Sequence, residues 1–107
     1  RTSYAQTSYT HQGWLSSDQT YFVFGDETDE MSFGTNTRTL VLDVSSLDSP
    51  TNFQQYFGST PAIDHNLYIV KQGTDDIMYQ ANYRAGLRVL KIVDYATANF
   101  EEIGSFD

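Results

Sequence analysis

The sequence of 107 residues contains no cysteine, so a disulfide framework, a thiolate zinc site and a cysteine nucleophile are all excluded. Basic residues are also scarce, because 6 lysines and arginines stand against 14 aspartates and glutamates, a formal net charge of -8. A nucleic-acid partner is therefore disfavoured, since a phosphate backbone would be repelled rather than neutralised. An anionic membrane surface is disfavoured for the same reason.

Long apolar runs are missing as well. None approaches the ~20 residues of a membrane span, so this segment is not expected to insert into a membrane. The chain shows neither a signal peptide nor an initiator methionine, and we therefore expect a preceding segment. Motifs for a nucleophilic serine, a phosphate-binding loop or a dinucleotide site are also missing, so no catalytic residue is assigned.

The residues that are abundant favour strands and turns. The chain has 8 tyrosines and 7 phenylalanines, and clusters of Gly, Asp, Asn and Ser separate short apolar runs. Eight of these runs are predicted as strands: 4–9, 21–24, 39–44, 53–57, 67–70, 77–81, 87–93 and 100–106. Short strands at regular spacing are typical of an all-β sandwich, barrel or propeller.

The chain also contains an internal repeat. Residues 11–57 and 65–106 show the same succession of a His-x-x-aromatic motif, two strand-like runs and an Asn-Phe pair. In the longer of the two runs Leu42 corresponds to Leu90, and the next residue is charged in both copies. Each copy supplies about four strands in ~40–50 residues, which is the spacing of a β-propeller blade.

Several longer strings resemble a known family and together cover nearly the whole chain. They are LVLDVSSLDSP at 40–50, GLRVLKI at 86–92, HQGWL at 11–15, GDE at 25–27, AIDHNLY at 62–68 and QANYRAGLR at 80–88. The first two resemble LVIVD repeats, and the whole set resembles the choice-of-anchor B proteins. This resemblance implies a surface-exposed β-propeller in a protein held at the cell surface. The chain departs from the repeat at Lys91, where an acidic residue is usual.

The repeat and the resemblance together predict the domain organisation. Residues 1–10 are expected to complete a neighbouring blade, 11–60 to form the first blade and 61–107 the second. A propeller closes with about four to eight blades, so two blades leave bare sheet edges. The expected partners are further blades of the same polypeptide or copies of the chain, and then other surface proteins.

An acidic loop gives the first candidate site. Four carboxylates stand in the five positions from Asp26 to Glu30, and such a loop predicts Ca²⁺ or another divalent cation. The spacing does not match an EF-hand, and a solvated hairpin loop is the alternative. The resemblance implies a role for Asp26 and Glu27, which are the predicted metal ligands, and leaves Asp29 and Glu30 as surface charge.

The two histidines, His11 and His65, occupy corresponding positions in the two copies. Corresponding positions of adjacent blades lie side by side, so both are predicted at one rim of the channel, where they could share a metal ion or a polar ligand. The alternative is an architectural role in which each histidine hydrogen-bonds a neighbouring strand. Asn82 and Arg84 are further rim candidates, with Arg84 suited to a carboxylate or sulfate, or to an ion pair with the acidic loop.

Two main functions are compatible with these patterns, beside a lattice or filament subunit whose acidic, Thr/Ser-rich surfaces are bridged by divalent cations. The first is a non-enzymatic extracellular or cell-surface β-propeller module for protein interaction, adhesion or assembly, stabilised by a divalent cation. The second is a metal-assisted hydrolase or lyase with its site at the channel mouth, built from His11, His65, Asp26 and Glu27.

Overall fold

The computed structural model describes the backbone of residues 1–107 and every side chain except that of Asn52. The strands are β1 (Thr10–Leu15), β2 (Tyr21–Asp26), β3 (Arg38–Asp43), β4 (Thr51–Phe57), β5 (Leu67–Gln72), β6 (Asp75–Ala81), β7 (Leu87–Asp94) and β8 (Asn99–Phe106). A short helix, α1 (Asp29–Phe33), follows β2, and a 3₁₀ helix (Tyr83–Ala85) follows β6. Within the described residues, no helix has the length and apolar composition needed to span a bilayer.

The strands form two four-stranded antiparallel sheets of the same construction. Sheet A contains β1 to β4 and sheet B contains β5 to β8, each in chain order. The registers also correspond, because Phe22 pairs with Leu42 in sheet A, and Met78 pairs with Leu90 in sheet B. The predicted all-β class is thus confirmed, whereas the assignment of the two sheets as propeller blades stays a prediction.

The main core lies between the two sheets. Alternate residues of each strand point to the same face, and the apolar faces of the two sheets pack against each other. Sheet A contributes Val23 and Val41, and most of the remaining core residues come from sheet B. This core comprises Val23, Val41, Leu67, Ile69, Met78, Leu90, Ile92, Ala98 and Phe100. A smaller cluster of Phe24, Leu40 and Leu42 covers the opposite face of sheet A, where the ring of Tyr4 packs against it.

The N-terminal segment differs from the prediction. Residues 1–9 form no strand, although a strand was expected over 4–9, and pairing with β2 begins only at Thr10. Tyr4 instead packs on sheet A, and the backbone N–H of Ser8 donates to a carboxylate oxygen of Asp26 at 3.0 Å. These two contacts hold the N-terminal segment against sheet A.

Gly25 on β2 marks a close approach between sheet A and the segment that precedes β5. The carboxylate of Asp64 lies directly over Gly25, so that a Cβ atom at position 25 would overlap the Oδ2 atom of Asp64. Asp64 itself is fully buried. A glycine is needed at this position because the carboxylate occupies the space of any side chain.

We predict that Gly25→Ala lowers the free energy of unfolding by about 1–3 kcal/mol, because the new methyl group must displace a buried carboxylate. Urea denaturation would measure this. In an Asp64→Ala background the same substitution should cost less than about 1 kcal/mol, since the overlap is gone. The matched control is Gly104→Ala on β8, where a Cβ would lie 3.9 Å from its nearest neighbour and little change is expected. An equal cost of Gly25→Ala in both backgrounds would contradict the explanation.

Candidate metal centre

Three ligand-type side chains converge where the two sheets meet. His11 lies on β1, Glu27 follows β2 directly, and His65 lies just before β5, so both sheets contribute. The candidate ligand atoms of these side chains all lie within 4.8 Å of one another. The structure thus brings together His11 and His65, which the repeat predicted to lie side by side.

The carboxylate of Glu27 faces both histidines. Its Oε1 atom lies 2.9 Å from Nδ1 of His65, and its Oε2 atom lies 3.7 Å from Nδ1 of His11. The two imidazole rings stack with their centroids 4.7 Å apart and their planes inclined by 19°. Both histidines are partly exposed, with 26% of the His11 side chain and 38% of the His65 side chain accessible, so an ion can reach the cluster from solvent.

A tyrosine that the sequence interpretation did not assign completes the group. The hydroxyl of Tyr83 donates a hydrogen bond to Oε1 of Glu27 and lies 3.1 Å from Nδ1 of His65. The bond from Tyr83 is the largest factor that holds the pKa of Glu27 below its ordinary value, and the same bond raises the pKa of Tyr83. The available signal was positional, because Tyr83 lies in the loop that follows β6, as Glu27 lies in the loop that follows β2.

The side chain of Gln12 fixes the two histidines beside each other. Its amide group donates to the carbonyl oxygen of Leu67 at 2.8 Å and accepts the N–H of Leu67 at 2.7 Å. This paired bond joins β1 to the first residue of β5. The histidine that precedes Gln12 in the chain, His11, is thereby held next to His65.

Asp26, the other predicted metal ligand, is placed elsewhere. It is fully buried, and its carboxylate accepts hydrogen bonds from the backbone N–H groups of Ser8 and Tyr9 and from the Nη2 atom of Arg38. At the end of a strand, successive side chains still point to opposite sides of the sheet, and this separates Asp26 from Glu27. The side chain of Asp26 therefore fixes the N-terminal segment and Arg38.

The side chains of Asn82 and Arg84 also lie away from the two histidines. Asn82 is buried, and its amide nitrogen donates to Oε1 of Gln80 at 3.3 Å. The exposed Arg84 lines a surface groove together with Thr60 and Arg88. The residue between them, Tyr83, is the one that reaches the histidines.

A buried acidic group was also missed by the sequence interpretation, which placed Asp29 and Glu30 at the surface. That expectation was wrong, because Asp29, Glu30 and Asp64 are all at least 96% buried. Each has one carboxylate oxygen without a hydrogen-bond partner. Burial, followed by the charges of Glu30 and Asp29, raises the pKa of Asp64 to about 8, and burial is the main cause that raises the pKa of Glu30 to about 7.

The donor set of the cluster is two imidazole nitrogens and one carboxylate. Such a set suits Zn²⁺ and other transition metal ions, whereas Ca²⁺ prefers ligands that are all oxygens. His11, Glu27 and His65 can therefore hold a transition metal ion at the junction of the sheets.

Comparisons with protein-family models, curated proteins and solved structures found no match to the chain. The resemblance to LVIVD repeats and to choice-of-anchor B proteins therefore stays a prediction. The candidate site rests on its own geometry.

Proposed function

We propose that this chain is a sector of a surface β-propeller that serves as a binding and assembly module, and that a transition metal ion bound by His11, Glu27 and His65 clamps its two sheets together. The observation that carries the proposal is the convergence of these three side chains from both sheets within 4.8 Å. A location outside the cell is proposed from the LVIVD resemblance.

An unpaired apolar sheet face supports the proposed assembly. Val70 and Leu87 lie on the face of sheet B that points away from sheet A, and both are exposed. On the same face, Val89 corresponds by register to Val41, through which sheet A packs on sheet B. We propose that a further sheet, from the same polypeptide or from a second copy, packs on this face in the same way.

Metal binding is the direct test of the proposed clamp. In calorimetric titration, we expect the chelator-treated protein to bind about one Zn²⁺ ion, and His65→Ala to weaken the affinity by at least about 100-fold, because a ligand is lost. Because the ion binds only when both sheets are in place, a 100-fold excess over Kd should stabilise the fold by about 2.7 kcal/mol, visible as a rise in Tm.

The matched control is Glu101→Gln, which removes an exposed carboxylate of β8 and should leave Zn²⁺ affinity unchanged, whereas Glu27→Gln should weaken it. Equal affinities of these two variants, or the absence of saturable binding to the wild type, would contradict the proposed clamp.

The enzymatic alternative keeps the same cluster but uses the ion to activate water. The partial exposure of the two histidines favours this alternative, because water can reach a bound ion. If the zinc-loaded protein hydrolyses 4-nitrophenyl acetate faster than His65→Ala under the same conditions, a hydrolase is favoured over a purely structural clamp.

A further inference from the structure

A constrained loop holds Tyr83 close to the candidate ligands Glu27 and His65. The φ angle of 41° at Tyr83 lies in the left-handed region, which tyrosine seldom adopts. Three backbone hydrogen bonds close the loop: Asn82 N–H to Gly86 O at 2.8 Å, Ala85 N–H to Asn82 O at 2.8 Å, and Gly86 N–H to Tyr83 O at 3.0 Å. A strained conformation that the surrounding bonds enforce is typical of a residue placed for a function.

The position of Tyr83 in sheet B corresponds to that of Glu27 in sheet A. Glu27 comes three residues after Phe24, and Tyr83 three residues after Gln80, and these strand residues occupy the same register position in their sheets. Each sheet therefore supplies one histidine and one oxygen-bearing side chain to the same point.

The hydroxyl of Tyr83 lies in direct contact with two of the other donors. Its hydrogen bond goes to Oε1 of Glu27, and the same Oε1 atom lies 2.9 Å from Nδ1 of His65. The phenol proton thus occupies a position between two ligand atoms, where a cation would be attracted to both oxygens.

We propose that Tyr83 is the fourth ligand of this centre, as a phenolate, and that the site selects ferric iron over Zn²⁺. The inference rests on the metal clamp proposed above. Four donors then face the ion: two imidazole nitrogens, one carboxylate oxygen and one phenolate oxygen. When the ion binds, the phenol proton leaves to solvent and the ion takes its place, so no oxidant or reductant is required if Fe³⁺ itself is supplied.

The donor chemistry explains the selectivity. A second anionic oxygen ligand increases the attraction for a trivalent ion more than for a divalent one, and iron accepts tyrosinate as a ligand in proteins. Zn²⁺ is already satisfied by two histidines and one carboxylate with water in the fourth position. Loss of the Tyr83 hydroxyl should therefore affect Fe³⁺ much more than Zn²⁺.

A second tyrosine is close enough to serve as a competitor in the test. The ring of Tyr9 lies 5.6 Å from that of His11, and its side chain is exposed. Tyr9 has a hydroxyl of the same chemistry on the other side of the cluster, so the experiment must distinguish the two tyrosines.

The test is titration of the purified protein with ferric nitrilotriacetate, followed by visible absorption and resonance Raman spectroscopy. Charge transfer from a phenolate to Fe³⁺ produces a visible band, whereas Zn²⁺ has a filled d shell and produces none. We expect the wild type to acquire the band and Tyr83→Phe to lose it. Tyr83→Phe should also bind Fe³⁺ at least about tenfold more weakly, with Zn²⁺ affinity changed by less than about threefold.

Tyr9→Phe and Tyr68→Phe are the controls, and both should keep the band. Loss of the band in Tyr9→Phe, or a band that persists in Tyr83→Phe, would overturn the assignment of Tyr83. If Fe³⁺ and Zn²⁺ both bind to the wild type but no visible band appears, the assignment of a phenolate ligand is wrong, and the proposed metal clamp is retained. If neither ion binds, the proposed clamp itself is wrong.

Discussion

Replacing Arg38 by methionine is expected to lower the free energy of unfolding by about 3–5 kcal/mol, because it leaves buried carboxylates without their cation. Arg38 is 97% buried. Its Nε atom donates to Asp29, and its Nη2 atom donates to Asp26 at 3.2 Å and to the carbonyl oxygen of Gln6 at 2.8 Å. A loss of this size is a large share of the ~5–15 kcal/mol that stabilises an ordinary domain.

Chemical denaturation of Arg38→Met would measure the loss, and Lys91→Met is the matched control. Lys91 forms an exposed ion pair with Asp75 at 2.9 Å, and such pairs contribute less than about 1 kcal/mol. Adding Asp26→Asn and Asp29→Asn to Arg38→Met should recover part of the stability, since the unpaired charges are then removed. If Arg38→Met costs no more than Lys91→Met, the buried network does not stabilise the fold.

The stability of the protein is expected to fall by on the order of 3–6 kcal/mol between about pH 5 and pH 8. The two groups responsible are Glu30, whose pKa is raised to about 7, and Asp64, whose pKa is raised to about 8. Burial is the main cause for both, and the charge of Asp29 adds to it in each case. Glu30 and Glu27 also raise the pKa of Asp64.

The direction follows from proton binding. Between the ordinary carboxyl pKa near 4 and the raised values, the folded protein keeps protons that the unfolded chain has already lost. The stabilisation is therefore complete at acidic pH, declines as the pH rises, and is gone above about pH 8. Most globular proteins with paired carboxylates behave in the opposite way as the pH rises through the acidic range.

Urea denaturation at a series of pH values, in the presence of a chelator, would test this dependence. Asp64→Asn and Glu30→Gln should each flatten the curve, because the neutral amide no longer ionises. Both variants should be more stable than the wild type at pH 8 by at least about 1 kcal/mol. Glu101→Gln, which changes an exposed carboxylate, should leave the curve unchanged. A wild-type stability that rises from pH 5 to pH 8 would contradict the explanation.

The periodic features of the fold could be predicted, because alternation along a strand is encoded by neighbouring residues. The strand pairs around Leu42 and Leu90 have matching registers, and His11 and His65 do lie side by side. The error at residues 4–9 has a different origin. Their polar and aromatic pattern suits a strand, but Tyr4 packs on sheet A and Asp26 holds Ser8, and these contacts depend on residues far along the chain.

The roles of the carboxylates in the acidic loop also depend on residues far along the chain. Asp26, Glu27, Asp29 and Glu30 are chemically alike in sequence, and a charged run normally faces solvent. Their roles diverge in the fold, because Arg38 reaches Asp26 and Asp29 from β3, while Glu27 turns to the histidines. No local pattern distinguishes them, since each partner is set by the packing of another strand.

The sequence by itself determined the all-β class, the four-strand repeat and the correspondence of the two histidines, since these depend on composition and on spacing along the chain. Only the tertiary structure decided which carboxylate meets the histidines, that Tyr83 joins them, and that Asp29, Glu30 and Asp64 are buried. The physical reason is that each of these outcomes is a contact between sheet A and sheet B, or between a loop and a distant strand. Such contacts arise only when segments that are distant in the chain pack together.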